Sequence, residues 1–382
     1  MTWLTTAQGG AERSTLELAD GLRTIFGIDV VIVWWDDSKF LSLPRVPHGL
    51  RVRQADANSY ERMLAHELSS NPEGTVLIGT HRTAMIDIPL ANSLNIAVIS
   101  VLRGMLVANQ RLRTVDPERR RLVPRRPDEL NWEILARADC WVGVSRSSTA
   151  SLVELAERPV RAITIYNGVA IAAHPPAFTS KPIRRFSVVA RTESWKRIDR
   201  VIAAYACLPK EIVSRAQLNI YGNGTVLSQL QKMADTFCLD RNVRFWGHVP
   251  DREWLAGTDV LVSACDIEGF GRCVIEAGAA GIPQIVPDRG GSSELVVPGL
   301  TGLIYAGGDV RGLTDAMVEA AAWSGNQLAA LGQRAHVHAR SYSHTRYFMA
   351  YARLALQVCA LAQRRSSAFM NELAPESERI VR

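Results

Sequence analysis

Between Asp259 and Glu294 the chain reads DVLVSACDIEGFGRCVIEAGAAGIPQIVPDRGGSSE. The opening run, Asp259–Ser263, is apolar and β-branched, the pattern of a buried parallel strand. It breaks in a loop holding Glu268-Gly269-Phe270-Gly271, and a helix is predicted from about Arg272, with Glu276 near its first turn. A glycine-containing loop that runs into a helix start offers free N–H groups and the positive end of the helix dipole to an anion. Gly271 lets the backbone approach such a ligand closely. Glu268 on the loop and Glu276 on the helix are placed to face one ligand. The plainer alternative is a strand–turn–helix crossover in which Glu268 is only an acid near a helix cap.

Outward from this segment the same alternation continues. Phe186–Ala190, Gln217–Tyr221, Val243–Trp246 and Gln284–Val286 read as further strands, with helices predicted over Arg197–Cys207, Val226–Phe237, Cys273–Ala280 and Arg311–Trp323. The first half repeats the plan. Val30–Trp35, Val76–Ile78, Ile96–Val101, Cys140–Val144 and Ala162–Tyr166 read as strands, and Glu12–Phe26, Ser59–Ser70, Glu129–Ala138 and Ser147–Glu157 as helices. Strands alternating with helices give parallel sheets with right-handed crossovers. Pro175, Pro176 and Pro182 mark a linker. The expected fold class is therefore α/β, with two doubly wound Rossmann-like domains facing across a cleft. Their bounds are 1–168, a linker at 169–183, 184–345, and a helical tail at 346–382 expected to pack back on the N-terminal domain. Ligands of such sheets bind at the carboxyl ends of the strands.

The chain has 382 residues, which fits two domains of ordinary size, and 47% hydrophobic against 21% charged residues excludes a largely disordered chain. The six cysteines are scattered, without C-x-x-C, which points to a reducing compartment and away from a disulfide framework or structural zinc. No signal peptide or membrane-spanning run is readable, so a cytoplasmic protein is expected. The net charge is +6, and its distribution is uneven. Residues 181–200 hold seven basic side chains against Glu193 and Asp199. Phosphate binding by Arg191 and Lys196, at the end of the first strand of the second domain, accounts for part of that cluster. Arg103–Arg126 holds eight arginines; it reads either as a solvated face or as a surface touching anionic lipid headgroups. No basic stripe interleaved with aromatics appears, which argues against a nucleic-acid partner.

Glu268 to Glu276, with Gly-Phe-Gly inside, resembles the E-x7-E motif of the family-4 retaining glycosyltransferases, which have the GT-B fold. Ala277–Gly281, Pro283, Gly290-Gly291 and Glu294 are similar to the rest of that block. Gly9-Gly10-Ala11-Glu12 looks like the family's glycine loop after the first strand, here placed at Thr2–Thr6. Asn167-Gly168-Val169 resembles its turn before the linker, with Ala170 in place of Asp. Ala190-Arg191 followed by Lys196 resembles its Gly-Arg-x4-Lys pattern, and Gly222-Asn223-Gly224, Gly247-His248-Val249 and Gly299–Leu303 match three further loops.

The resemblance implies transfer of a hexose or N-acetylhexosamine from a nucleotide sugar, UDP-linked, to an acceptor hydroxyl. It implies donor contacts by Gly9, Gly10, Arg191, Lys196, Gly222, Val249 and Glu276, and by the backbone of Phe270, Gly271, Arg272, Cys273 and Val274. Glu276 would take the ribose hydroxyls. Glu268 would act beside the transferred sugar, and His81, at the carboxyl end of Val76–Ile78, would lie near it; the alternative for His81 is an ordinary packed histidine. No cofactor is expected, and no metal, since no Asp-x-Asp occurs. The acceptor is a saccharide, a lipid-linked saccharide or a small metabolite, the lipid-linked reading allowing peripheral contact with the inner face of a membrane. Two other readings stay open: a sugar-nucleotide 2-epimerase of the same fold, and a nucleotide-sugar-binding protein without turnover. Trp195 and Trp34-Trp35 read as packing, and Ser145-Arg146 as a helix cap.

Overall fold

The structure is a computed structural model that describes residues 10–35, 46–107, 110–116, 118, 121–172, 185–239 and 241–373. The chain forms two compact units. The first comprises Met1–Val144, Ser148–Tyr166 and Thr345–Arg382, the second Ser145–Ser147 and Asn167–His344. Gly9, the strand expected at Thr2–Thr6 and the prolines of the expected linker lie outside the described residues.

The first unit opens with α1 (Gly10–Phe26), followed by β1 (Val31–Trp35), β2 (Arg51–Ala55), α2 (Tyr60–Ser70), β3 (Val76–Thr80), α3 (Ala84–Ser93) and β4 (Ala97–Leu102). Then come β5 (Leu112–Asp116), β6 (Arg121–Arg125), α4 (Trp132–Leu135), β7 (Cys140–Gly143), α5 (Arg146–Leu155) and β8 (Ala162–Thr164). Its main sheet is parallel, in the order β3-β4-β7-β8, and β1 and β2 form a separate parallel pair. β4 is buried along its whole length, which is why its sequence is apolar except for the buried Ser100.

Several elements here depart from the sequence expectation. The unmatched arginine-rich segment contains an antiparallel hairpin, β5–β6. β2 reads RVRQA and is mostly exposed; it is a strand because its backbone pairs with β1, in the register Val31↔Arg51 to Trp35↔Ala55. α3 carries Pro89 inside it and is buried on most sides, so it shows no one-sided stripe. The helix expected over Glu129–Ala138 is a 3-10 turn, Pro127–Glu129, followed by the short α4 with its own cap at Asn131.

The second unit runs β9 (Arg185–Val189), α6 (Ile198–Ala206), α7 (Lys210–Val213), β10 (Gln217–Tyr221), α8 (Leu227–Thr236), β11 (Val243–Gly247), α9 (Asp251–Ala256), β12 (Val260–Val262), α10 (Arg272–Ala279), β13 (Gln284–Pro287), β14 (Gly302–Tyr305), α11 (Val310–Ala321) and α12 (Gly325–Ala339). All six strands are parallel, in the order β11-β10-β9-β12-β13-β14. The order reverses between β9 and β12, so the loops after these two strands leave the sheet at a topological switch point. Phe186 and Val188 of β9 and Val260 and Val262 of β12 anchor both strands in one core. Each such side chain is worth about 1.5–3 kcal/mol of burial. That core fixes where the loops start.

The closing helix, α13 (His344–Leu373), groups with the first unit from Thr345 onward. Tyr347 donates its hydroxyl to the Ser14 carbonyl at 3.2 Å. A Cβ on Gly21 would meet the Phe348 ring at 2.3 Å, so glycine is what lets α1 and α13 touch there.

Candidate active site

At the switch point of the second unit, the loop after β9 carries Arg191, Trp195 and Lys196, and the loop after β12 carries Glu268. Lys196 and Glu268 form an ion pair in which both side chains are largely buried. Burial alone would push the Glu268 carboxyl up. The Lys196 ammonium and the backbone N–H groups of Phe270 and Gly271 outweigh it and hold the carboxyl below its ordinary range. Burial would likewise pull Lys196 down, but Glu268 reverses this and keeps the ammonium charged. The pair is thus ionic on both sides despite being enclosed.

Trp195 has a part that the sequence reading missed when it assigned the ring to packing. Lys196 Nζ lies 4.1 Å from its ring centroid, and the Arg191 guanidinium carbon 5.8 Å. One aromatic ring therefore lies against both cations. Arg191 is exposed, so its charge is available to a ligand in solution. Arg197, directly after Lys196, has φ +53, a left-handed conformation that starts α6 abruptly and closes the short 3-10 turn Ser194–Lys196. The signal for Trp195 was its place between the two cations. It could not be read without the local turn that brings the ring beside them.

Gly271 begins α10 at φ +88, a conformation glycine takes freely. A Cβ there would also lie 3.0 Å from Ser292. The loop Gly290-Gly291 holds the Glu268 loop from behind: Gly291 N–H donates to the Glu268 carbonyl at 2.7 Å, and a Cβ on Gly291 would meet the Gly269 carbonyl at 2.2 Å. Glu276, the fifth residue of α10, accepts from Arg272 Nε at 2.7 Å. Arg272, expected to serve through its backbone, thus also fixes Glu276 through its side chain. Cys273 lies within the electrostatic reach of Glu268, Lys196 and Glu276, which places all three acids and bases around one helix start. Burial foremost pushes the thiols of Cys265 and Cys273 to about 12, so neither is a nucleophile at neutral pH.

The loops after β10 and β11 complete this end of the sheet. Gly222, at φ +129, donates to the Gly247 carbonyl at 2.7 Å, and a Cβ on it would collide with the Ala190 carbonyl at 2.0 Å. Val249 follows β11 and is half-buried. A second ion pair, Arg200–Asp266 at 2.5 Å, ties α6 to the Glu268 loop.

Two predicted residues stand in the first unit. Gly10 is the first residue of α1. His81 follows β3, its backbone N–H donating to the Val101 carbonyl at 3.0 Å. Its ring lines an apolar pocket with Leu106, Leu112, Trp132 and Trp141, and its buried Nδ1 has no hydrogen-bond partner among the described residues. Burial lowers its pKa to about 3, so the imidazole is neutral.

Residues 178–336 match the family model described as Glycosyl transferases group 1. A stretch of 124 residues, 29% of this chain, is 34% identical to the GDP-mannose-dependent monoacylated alpha-(1-6)-phosphatidylinositol monomannoside mannosyltransferase of Corynebacterium glutamicum. Another of 190 residues, 48% of this chain, is 30% identical to the glycogen synthase of Mycobacterium tuberculosis. These matches cover 32% and 46% of the two relatives, so the chain spans less than half the length of either. The crystal structure of Anabaena HepE in complex with UDP-glucose superimposes with a TM-score of 0.71 at 16% identity, over 93% of this chain and 99% of that one. Residues 178–336 therefore resemble a group 1 glycosyltransferase domain, and the chain has the GT-B fold of glycosyltransferases.

Proposed function

We propose that this protein is a retaining glycosyltransferase that moves a hexose or N-acetylhexosamine from a UDP-linked donor to an acceptor hydroxyl without a metal. The observation that carries this reading is the Lys196–Glu268 ion pair, with Arg191 and Lys196 gathered on Trp195 beside the start of α10. Breaking the anomeric C–O bond leaves charge on a diphosphate. Two cations and a helix N-terminus fixed in advance stabilise that charge, and such preorganised electrostatics are commonly the largest catalytic term. An ammonium has three donors, so Lys196 can keep Glu268 and still reach a phosphate oxygen. Glu268, held ionised, stabilises positive character at the anomeric carbon. Glu276, oriented by Arg272, takes the ribose. The leaving phosphate oxygen receives the acceptor's proton, which leaves no separate base to be found.

The acceptor belongs to glycan, lipid-linked saccharide or metabolite biosynthesis, and the reading includes a cytoplasmic protein working near a membrane. Among the described residues, no helix is long and apolar enough to cross one. One relative's name specifies GDP-mannose and one solved neighbour holds UDP-glucose, so the donor test must span both bases. Melting points with UDP-, GDP- and ADP-sugars, with and without EDTA, are expected to rise most with a UDP-sugar and to ignore the chelator. A rise with a GDP-sugar only would reassign the base. Donor turnover without any acceptor product would favour the epimerase, and binding without turnover the inert binding protein.

A further inference from the structure

We infer that the outer face of α13 is a docking surface for an anionic phospholipid membrane. Residues 320–371 contain six arginines and no acidic residue. Three of them, Arg346, Arg353 and Arg364, share one exposed stripe of α13 with Met349, Leu356 and Ala360. Successive members of this stripe are three or four residues apart, so they lie on one line along the helix. The line runs about 27 Å from Arg346 to Arg364. Leu356 is 72% exposed and Met349 37%, high for large apolar side chains in a helix whose other face is fully packed. Tyr347, Tyr351, Leu354 and Val358 are buried on that other face.

The arginines of the stripe make no ion pair among the described residues. The Arg103–Arg126 segment, the earlier candidate for lipid contact, behaves differently. Arg103 turns inward and donates to Thr15 Oγ1 at 2.9 Å, and Arg125 is paired with Asp116 at 3.0 Å. Its charge is partly spent within the fold, whereas that of Arg346, Arg353 and Arg364 is presented outward and, within α13, only Arg365 is paired, with Asp139, among the described residues.

The chemistry of the stripe selects its partner. A single exposed helix face does not by itself form a groove for a peptide. Arginines set among apolar side chains suit a plane with phosphates outside and acyl chains within: the guanidinium groups stay at the headgroups while their stems and Leu356 enter the boundary. Pairing of two copies through this face would bring like charges together. Juxtamembrane basic residues add attraction to anionic lipid, and salt screens it.

The test is co-sedimentation of the full chain with phosphatidylcholine vesicles and with vesicles containing about one-third phosphatidylglycerol. The wild type is expected to bind only the anionic vesicles, and less tightly as salt rises. The triple variant Arg346→Ser, Arg353→Ser, Arg364→Ser is expected to bind roughly 100-fold more weakly, and Leu356→Ser several-fold more weakly. These residues are exposed, so melting points and the melting-point rise with UDP should match the wild type. Equal binding to both vesicle types, no binding to either, or an unchanged triple variant would overturn the inference. So would a dimer in size-exclusion chromatography that Leu356→Ser dissolves without any vesicle binding. The inference does not depend on sugar transfer: a missing UDP response would count against the proposed function and leave the vesicle result standing.

Discussion

Two turns at the carboxyl ends of parallel strands solve the same problem in opposite ways. In the second unit, Glu268 and Lys196 are enclosed yet stay charged, because each answers the other and backbone N–H groups support the carboxylate. In the first unit, His81 in the turn after β3 and Asp87 in the first turn of α3 have no ionic partner among the described residues. Burial lowers His81 to about 3 and raises Asp87 to about 7, so both favour their neutral forms. Asp87 accepts from the Tyr60 hydroxyl at 2.9 Å and the Thr83 hydroxyl at 2.5 Å, which only partly offsets its desolvation. Enclosure alone neutralises a group, and enclosure with a counter-charge preserves it. The charged turn is suited to meeting a diphosphate; the neutral one is suited to holding a fold together or to contacting an uncharged sugar.

The largest test of this contrast is stability against pH. Asp87 titrates near 3.8 when unfolded and near 7 when folded, so its stabilising contribution is complete below pH 3.8, is lost progressively as pH rises toward the folded value, and is gone above about 7. The loss amounts to about 4 kcal/mol at most. Asp87→Asn keeps the shape and cannot ionise, so its denaturant midpoint should fall less than that of the wild type between about pH 5 and about pH 8. Parallel curves would show that the carboxyl is charged in the fold.

Next comes the charged turn itself. Glu268→Gln should lower kcat by roughly 100-fold with little change in donor KM, because the carboxylate acts where charge develops. Glu276→Ala should instead raise donor KM more than it lowers kcat, since a ribose contact is nearly equal in ground and transition states. If both acids served folding only, both variants would melt lower and turn over normally per folded molecule.

A smaller loss, at least about tenfold in kcat/KM, is expected for Arg191→Ala and for Lys196→Ala. The two should separate in stability. Arg191 is exposed and its variant should melt like the wild type, whereas Lys196→Ala leaves Glu268 enclosed without its cation and should melt lower. Equal melting points would mean that the pair is not enclosed in solution.

The least effect is forecast at His81. Its ring stays neutral throughout the assay range, so the pH–rate profile of His81→Asn should keep the wild-type shape between about pH 5 and about pH 8. A wild-type step near pH 6.5 that disappears in the variant would reveal a charged imidazole and break the contrast.

Strands β9, β10, β12 and β13 of the second unit were legible because they are central in a parallel sheet, where both faces are buried and the sequence is mostly apolar. β2 and the β5–β6 hairpin were not, since they rest on backbone pairing that leaves little imprint on composition, and β14 is only four residues long at the sheet edge. α3 was hidden by Pro89 and by burial on several sides. The residue types and spacing of Arg191, Lys196, Glu268 and Glu276 are properties of the sequence, and so was the inference that a loop meeting a helix start would hold an anion. Their partners belong to the folded chain. Lys196 and Glu268 are 72 positions apart and meet only because β9 and β12 are neighbours in the sheet. The same holds for charge: the arginine counts of Arg103–Arg126 and of α13 are written in the chain, but which side chains turn inward is set by packing. Local pattern follows from near neighbours along the chain. Pairing, exposure and protonation follow from neighbours in space, and those the tertiary structure alone supplies.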